Sequence, residues 1–168
     1  MRSHQSPSRA LVASAALIAA IVINATVLAC DDDDDTTRAT TTTFVTTMNG
    51  AGEFPANAEV GTGTATVVKA GGVYTYTITY TGMTGPLTMG HIHGPSLAGA
   101  NAPVIVPFAD APGAPAAGTL TGTFTSTNTA TISNDSLDVL MRTGNAYVNL
   151  HTAAHPGGEI RGQLTLKP

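Results

Sequence analysis

Strict alternation of side-chain character is the feature that most constrains how this chain folds. It is clearest at residues 73–80, which read VYTYTITY, with tyrosine or isoleucine at even positions and threonine at odd positions 75, 77 and 79. Because successive side chains of a β-strand point to opposite faces, this pattern predicts a half-buried antiparallel strand. Residues 61–69 alternate as well, and Ala70-Gly71-Gly72 separates the two runs. Residues 61–80 are therefore predicted to form a hairpin.

Most of the chain from about residue 41 onward has the same alternation, interrupted by glycine, proline and asparagine. Further strands are predicted near residues 42–49, 87–93, 103–108, 118–126, 145–151 and 159–166. One helix is predicted after Ser133 or Asn134 as its N-cap, ending at Gly144, with an apolar face made of Leu137, Leu140 and Met141. The expected fold class is all-β, a β-sandwich or Greek-key barrel with one short helix.

The low charge content excludes several classes of function. Charged residues make up 11% of the 168 residues, and seven Lys and Arg leave a formal net charge of −4. An average soluble domain carries about 25% charged residues. Because no basic patch is available to neutralise phosphates, we expect no nucleic-acid partner. The sequence also contains no recognisable catalytic triad, phosphate loop or nucleotide-binding motif.

The first 29 residues have the organisation of a signal peptide. Arg2 and Arg9 precede twenty uncharged residues, 10–29, which end in Val-Leu-Ala immediately before Cys30. This Val-Leu-Ala-Cys segment resembles the lipobox of bacterial lipoproteins, in which the cysteine is lipidated and becomes the mature N-terminus. An uncleaved membrane anchor and ordinary secretion are the alternatives, since the apolar run is just long enough to span a bilayer.

Residues 30–41 are expected to form a solvated tether behind the lipidated Cys30. Five consecutive aspartates, 31–35, are followed by a threonine-rich stretch. Adjacent like charges repel one another and cannot pack into a core. A calcium loop is a poorer interpretation, because such loops space their oxygen ligands around a turn glycine. The predicted organisation is a signal peptide at 1–29, a tether at 30–41 and one domain at 42–168.

Two stretches, 90–95 and 146–164, contain the four histidines of the predicted domain, which are His91, His93, His151 and His155. On a strand, His91 and His93 would project to the same side, about 7 Å apart, while Ile92 points to the other. The strand near residues 145–151 would likewise place Tyr147, Asn149 and His151 on one face, with Val148 and Leu150 on the other. If the intervening aliphatic side chains fill the core, the histidines face outward at one place.

This placement permits two interpretations of the imidazoles. His91, His93 and His151 could ligate copper or zinc, since two imidazoles from one strand and a third from elsewhere make a workable site. His155 is a less favoured ligand. Alternatively, the imidazoles could be structural and hydrogen-bond backbone carbonyls, locking turns such as residues 152–158.

Several polar residues are candidates for structural or ligand-binding roles. A buried charge in so charge-poor a domain would need a partner. We expect Glu53 or Glu159 to pair with Arg161 or with backbone amides, the alternative being ligand contact by Arg161. Asn149, which lies between two aliphatic residues, is expected to bond a neighbouring loop rather than a ligand.

Motifs along residues 42–166 resemble the CHRD domain, which is named for chordin. They are MNGAGEFP at 48–55, GTGTA at 61–65, GHIHGP at 90–95, AYVNLHT at 146–152 and HPGGEIRGQL at 155–164. Phe54 and Ala56 stand where valine and a second proline are more usual. His155 stands where asparagine is common, so no role is carried over to it.

The resemblance implies an immunoglobulin-like β-barrel similar to copper/zinc superoxide dismutase, in a family without an established catalytic activity. The expected function is that of an exported, lipid-anchored binding or structural module in the bacterial cell envelope, outside the cytoplasm. Its partners would be the membrane, through the anchor, and an unidentified protein or envelope ligand. The first alternative is a copper- or zinc-binding protein using His91, His93 and His151. The second is a dismutase-like enzyme, because dismutases also present two copper ligands as histidine-x-histidine on a strand.

Overall fold

The computed structural model describes residues 40–126 and 132–168, which belong to one compact unit. Its strands are β1 Thr41–Asn49, β2 Thr62–Ala70, β3 Val73–Thr81, β4 Leu87–His93, β5 Val104–Pro107, β6 Gly118–Phe124, β7 Tyr147–Thr152, β8 Ile160–Gln163 and β9 Thr165–Leu166. One helix, α1, spans Asn134–Arg142, and one 3-10 turn spans Gly50–Gly52. The predicted signal peptide, Cys30 and nearly all of the predicted tether lie outside the described residues. Within the described ranges, none of the helical segments has the length and apolarity needed to span a bilayer.

The strands form one antiparallel, nearly closed sheet in the order β5-β4-β7-β8-β1-β2-β3-β6, with β9 beside β1. Strands β3 and β4 are consecutive in the chain but are not neighbours in the sheet, and the same holds for β6 and β7. Such crossovers are typical of Greek-key barrels. The all-β class with a single helix is therefore confirmed.

The predicted hairpin is formed by β2 and β3, which pair in register from Thr62–Thr81 to Ala70–Val73. The even-numbered side chains of β3 are buried, and the threonines on the other face of the same strand are exposed. The aromatic side chains extend into the core, where Tyr74 stacks on Phe124 with ring centroids 4.9 Å apart. The alternation was therefore sufficient to identify which face of this hairpin packs inward.

Helix α1 begins and ends close to the predicted positions. The Ser133 side chain accepts a hydrogen bond from the backbone N–H of Ser136, as an N-cap residue does. Gly144 follows the helix with a φ of 70°, a conformation that favours glycine. Leu137 and Met141 are fully buried, whereas Leu140 is only partly buried.

The C-terminal segment differs from the prediction of one strand over residues 159–166. It is divided into β8, which lies between β7 and β1 and pairs with both, and β9, which pairs with β1. Leu164, between the two, is fully buried and donates its backbone N–H to the carbonyl of Ala146. The pairing with β7 ends at this buried residue while the alternation of side chains continues, which explains why the sequence pattern does not reveal the division.

Candidate metal centre

Neighbouring strands β4 and β7 bring the two histidine motifs together. Their antiparallel register pairs His91 with Asn149, His93 with Tyr147 and Met89 with His151. The aliphatic side chains between these positions, Ile92, Val148 and Leu150, are fully buried in the core. The inference from strand parity is confirmed in this respect, because the polar side chains share the face opposite the core.

The expectation that this polar face is open to solvent is wrong. Tyr147, Asn149 and His151 are only 2%, 3% and 5% exposed, and His91 and His93 are partly buried. Connecting segments cover the face and supply partners for its polar atoms, namely residues 94–103, 153–159 and 50–57. Buried polar groups are stable only when they are hydrogen-bonded, and these segments supply the partners. Strand β7 therefore has the hydrophobic core on one face and a second, polar interior on the other.

The three imidazoles form one cluster. One ring nitrogen from each of His91, His93 and His151 can be chosen so that all three atoms lie within 4.8 Å of one another. Nδ1 of His91 lies 3.2 Å from Nε2 of His151, and the ring centroids of His91 and His93 are 5.3 Å apart. No other group of three or more metal-ligating side chains occurs in residues 40–126 and 132–168.

Backbone carbonyls orient two of these rings. Nδ1 of His151 lies 3.0 Å from the carbonyl oxygen of Pro156, and Nδ1 of His93 lies 2.9 Å from that of Ala102. Because a carbonyl can only accept, each Nδ1 is the protonated donor and each Nε2 carries a lone pair, which in His151 accepts a hydrogen bond from Nδ1 of His91. Nε2 of His93 is buried and has no hydrogen-bond partner in the described part of the chain.

Burial keeps the cluster uncharged at neutral pH. It lowers the pKa of His91 to about 4, with smaller contributions from the neighbouring His151 and His93. Burial also lowers the pKa of His93 and of His151, although their carbonyl partners oppose the shift. The imidazoles therefore stand in the neutral form that ligates metal ions.

The side chain of Arg161 also lies against this polar face and is only 1% exposed. Its guanidinium carbon lies 3.4 Å from the centroid of the Tyr147 ring, and the other face of that ring stacks on His93. The guanidinium donates hydrogen bonds to the carbonyl of Leu97 and to the side-chain oxygens of Asn101 and Gln163.

The expected ion pair between Arg161 and a glutamate is not formed. Arg161 has no carboxylate partner within 4 Å among the described residues, since neutral oxygens and the Tyr147 ring surround it instead. Both glutamates of the prediction have other partners. The prediction that a glutamate bonds a backbone amide is confirmed for Glu159. Its carboxylate accepts a hydrogen bond from the backbone N–H of Thr84 at 2.7 Å.

Glu53 is held by Asn149, as expected for an asparagine that bonds a neighbouring loop. The Nδ2 atom of Asn149 donates to both carboxylate oxygens, at 3.0 and 2.9 Å, while its Oδ1 is buried without a partner in the described residues. Burial raises the pKa of Glu53 to about 7, against the opposing effects of Asn149 and the more distant Arg161. Gly158, whose φ is 128°, packs against the side chains of Glu53 and Asn149. A Cβ at this position would lie 2.5 Å from Oδ1 of Asn149, which is too close for a larger residue.

Glu159 is fully buried beside two threonines. Besides the backbone of Thr84, the hydroxyls of Thr84 and Thr152 donate to its carboxylate. Burial raises the pKa of Glu159, but these hydrogen bonds outweigh it, so that the pKa lies below its ordinary value. Glu159 is therefore ionised, and its carboxylate links Thr152 at the end of β7 to Thr84 in the turn before β4.

His155 lies outside the imidazole cluster. Its Nε2 is 3.2 Å from a carboxylate oxygen of Glu59, on the loop between β1 and β2. With Glu53 and residues 154–158, it lines a surface cleft of about 410 Å³. The structure therefore does not bring His155 together with the other three histidines.

A family profile described as the CHRD domain matches residues 44–164. This range contains strands β2 to β8, all but the first three residues of β1, and every residue of the imidazole cluster. The chain belongs to the CHRD domain family. Neither a curated protein nor a solved structure matches the chain significantly.

Three residues of this CHRD domain that complete the site were not singled out by the sequence analysis. Tyr147 lies between His93 and Arg161, and Thr84 and Thr152 bind Glu159. Strand parity placed Tyr147 on the face of Asn149 and His151, but it did not indicate the contacts of the ring. Thr84 comes from a turn 75 residues before Glu159, and no local pattern connects the two.

Proposed function

We propose that the chain is an exported, lipid-anchored, non-catalytic binding module that holds a copper or zinc ion at His91, His93 and His151. The observation that carries the proposal is the convergence of three ring nitrogens to within 4.8 Å. The CHRD family has no established catalytic activity, and membership suggests a binding or structural module.

The distances support a metal ion at this place. With metal–nitrogen bonds of about 2.0–2.1 Å, two ligands in a tetrahedral site lie about 3.3 Å apart. The nitrogens of His91 and His151, which share a hydrogen bond, are 3.2 Å apart and so already lie close to this separation; a bound metal ion would take the place of the shared proton. The remaining separations need modest side-chain rotation, because two ligand atoms on one ion can lie at most about 4 Å apart.

The hydrogen bonds around the rings support the same proposal. Metal-bound histidines almost always donate their second ring N–H to a carbonyl or a carboxylate, which fixes the tautomer. His93 and His151 have this arrangement through Ala102 and Pro156. The unpartnered Nε2 of His93 is the atom that such a site would use. Neutral imidazole suits both copper and zinc.

Calorimetric titration with Cu(II) and with Zn(II) tests the proposal. We expect saturable binding of at least one ion, and a loss of at least about tenfold in affinity in the double variant His91→Ala/His93→Ala. His155→Ala is the matched control, because this histidine lies outside the cluster, and its affinity should equal that of the unmodified chain. Binding that is the same in the double variant as in the control would contradict the proposal.

The dismutase-like alternative has weaker support. A copper/zinc pair needs two metal sites, and residues 40–126 and 132–168 contain one cluster of metal-ligating side chains. We therefore propose binding rather than catalysis. Superoxide consumption by the copper-loaded chain, absent in His91→Ala/His93→Ala, would reverse this choice.

The proposed anchor places the module in the bacterial cell envelope, on the extracytoplasmic side of a membrane. It rests on the positively charged start, the apolar run and the Val-Leu-Ala segment before Cys30. The proposed partners are the membrane, through the lipid, and a protein or another ligand of the envelope.

Labelling of growing bacterial cells with radioactive palmitate tests the anchor. The unmodified chain should incorporate label and partition into detergent, whereas Cys30→Ser should do neither. Cys30 is the single cysteine in the sequence, so residual label in the variant would refute lipidation at this site.

A further inference from the structure

Strand β4 contains a bulge immediately before the histidines. Its register with β7 shifts between Leu87 and Met89. In a regular strand these two side chains would share a face, but Leu87 is 1% exposed in the core and Met89 is 41% exposed. A bulge re-aims the side chains that follow it. Met89 therefore lies on the face of His91 and His93 rather than in the core.

The register places Met89 beside the imidazole cluster. It is paired with His151 across β4 and β7, and it precedes His91 by two residues on the same face. Side chains directly opposite one another have Cβ atoms about 4.5–5.5 Å apart. Since methionine is long, unbranched and flexible, its sulfur can reach a metal ion held by these histidines.

Packing does not account for this methionine. The other methionines of the described residues, Met48, Met83 and Met141, belong to the hydrophobic core. Met89 stands instead on a largely polar face, between exposed Thr88 and the half-buried His91. A thioether there provides a soft ligand that neither threonine nor an aliphatic side chain could supply.

We propose that the thioether of Met89 is a fourth ligand of the histidine site and that it makes the site selective for monovalent copper over zinc. The inference rests on the proposed function, because it requires metal binding by His91, His93 and His151. Thioether sulfur favours Cu(I), whereas zinc takes thiolate, imidazole and carboxylate ligands. No electron transfer is involved, since Cu(I) is bound as supplied.

Competition for Cu(I) with a chromophoric chelator, under anaerobic and reducing conditions, tests this inference. Every protein is the full chain carrying Cys30→Ser, because the single thiol would itself bind Cu(I). Met89→Leu should lower the Cu(I) affinity by at least about tenfold and leave the Zn(II) affinity within about twofold. Met141→Leu, a methionine of the core, is the matched control and should change neither affinity.

The outcomes separate the two proposals. X-ray absorption should detect a sulfur ligand on Cu(I) in the chain with Met89 and none in Met89→Leu. If both metals bind and Met89→Leu alters neither affinity, or lowers both equally, the methionine inference is overturned and the histidine site stands. If neither ion binds more tightly than to His91→Ala/His93→Ala, the proposed function fails and the inference fails with it.

Discussion

Replacing Arg161 with methionine is expected to lower the free energy of unfolding by about 3 kcal/mol. The substitution removes the hydrogen bonds from the buried guanidinium to Leu97, Asn101 and Gln163. It also removes the guanidinium that lies 3.4 Å from the Tyr147 ring centroid. A cation over a desolvated aromatic ring contributes up to about 2 kcal/mol. Urea denaturation monitored by circular dichroism measures the change.

The effect should depend on the planar guanidinium and not only on its charge. Arg161→Lys should recover less than half of the loss, because one ammonium group cannot reach several acceptors and stack on the ring. Arg142→Met is the matched control, since the Arg142 side chain is 41% exposed and pairs with Asp138. It should cost less than about 1 kcal/mol. Equal losses at the two arginines would contradict the structural role of Arg161.

Replacing Glu53 with glutamine is expected to stabilise the domain above pH 7 by about 1–3 kcal/mol and to have little effect near pH 5. Burial raises the folded-state pKa of Glu53 from 4.5 to about 7. A raised pKa means that the contribution of the group to stability is complete below pH 4.5 and is lost as the pH rises through 7. Glutamine is neutral throughout, so the advantage of the variant grows across this window.

The buried amide of Asn149 provides a structural reason for the same result. Its Oδ1 has no donor in the described residues, while its Nδ2 serves both oxygens of Glu53. A glutamine at position 53 carries an N–H that can satisfy this acceptor. Thermal unfolding between pH 5 and pH 8.5 measures the difference from the unmodified chain. Glu59→Gln, on the exposed rim, should show no such pH-dependent gain, and a pH-independent difference at Glu53 would contradict the raised pKa.

The strands could be predicted from the sequence because each depends on a local pattern. Alternation identified the hairpin of β2 and β3 and the buried side of β3, and capping residues identified helix α1. The division of residues 159–166 into β8 and β9 could not be predicted in this way. Which neighbour a strand pairs with depends on the packing of segments more than a hundred residues apart, such as β1 and β9.

Part of the candidate site could also be predicted. The parity of β4 and β7 placed His91, His93 and His151 on one side, and the structure brings their ring nitrogens within 4.8 Å. The partners of Arg161 and Glu53 could not be predicted, since opposite charges suggested an ion pair. In the structure, the neutral amide of Asn149 binds Glu53, and neutral oxygens of Leu97, Asn101 and Gln163 accept from Arg161. The bulge that re-aims Met89 is likewise invisible in the sequence pattern.

The sequence by itself determined the strand periodicity, the side of each strand that enters the core, and the family. The family follows from the motifs, whereas the other two properties follow from backbone geometry, because a pleated strand alternates its side chains whatever its neighbours are. Only the tertiary structure decided that the polar face of β4 and β7 is covered and that its three imidazoles are wholly or partly buried and neutral. Burial depends on which loops fold across a face. Loop closure brings together residues that are far apart in the chain, and their spacing in the sequence does not indicate that they will be in contact.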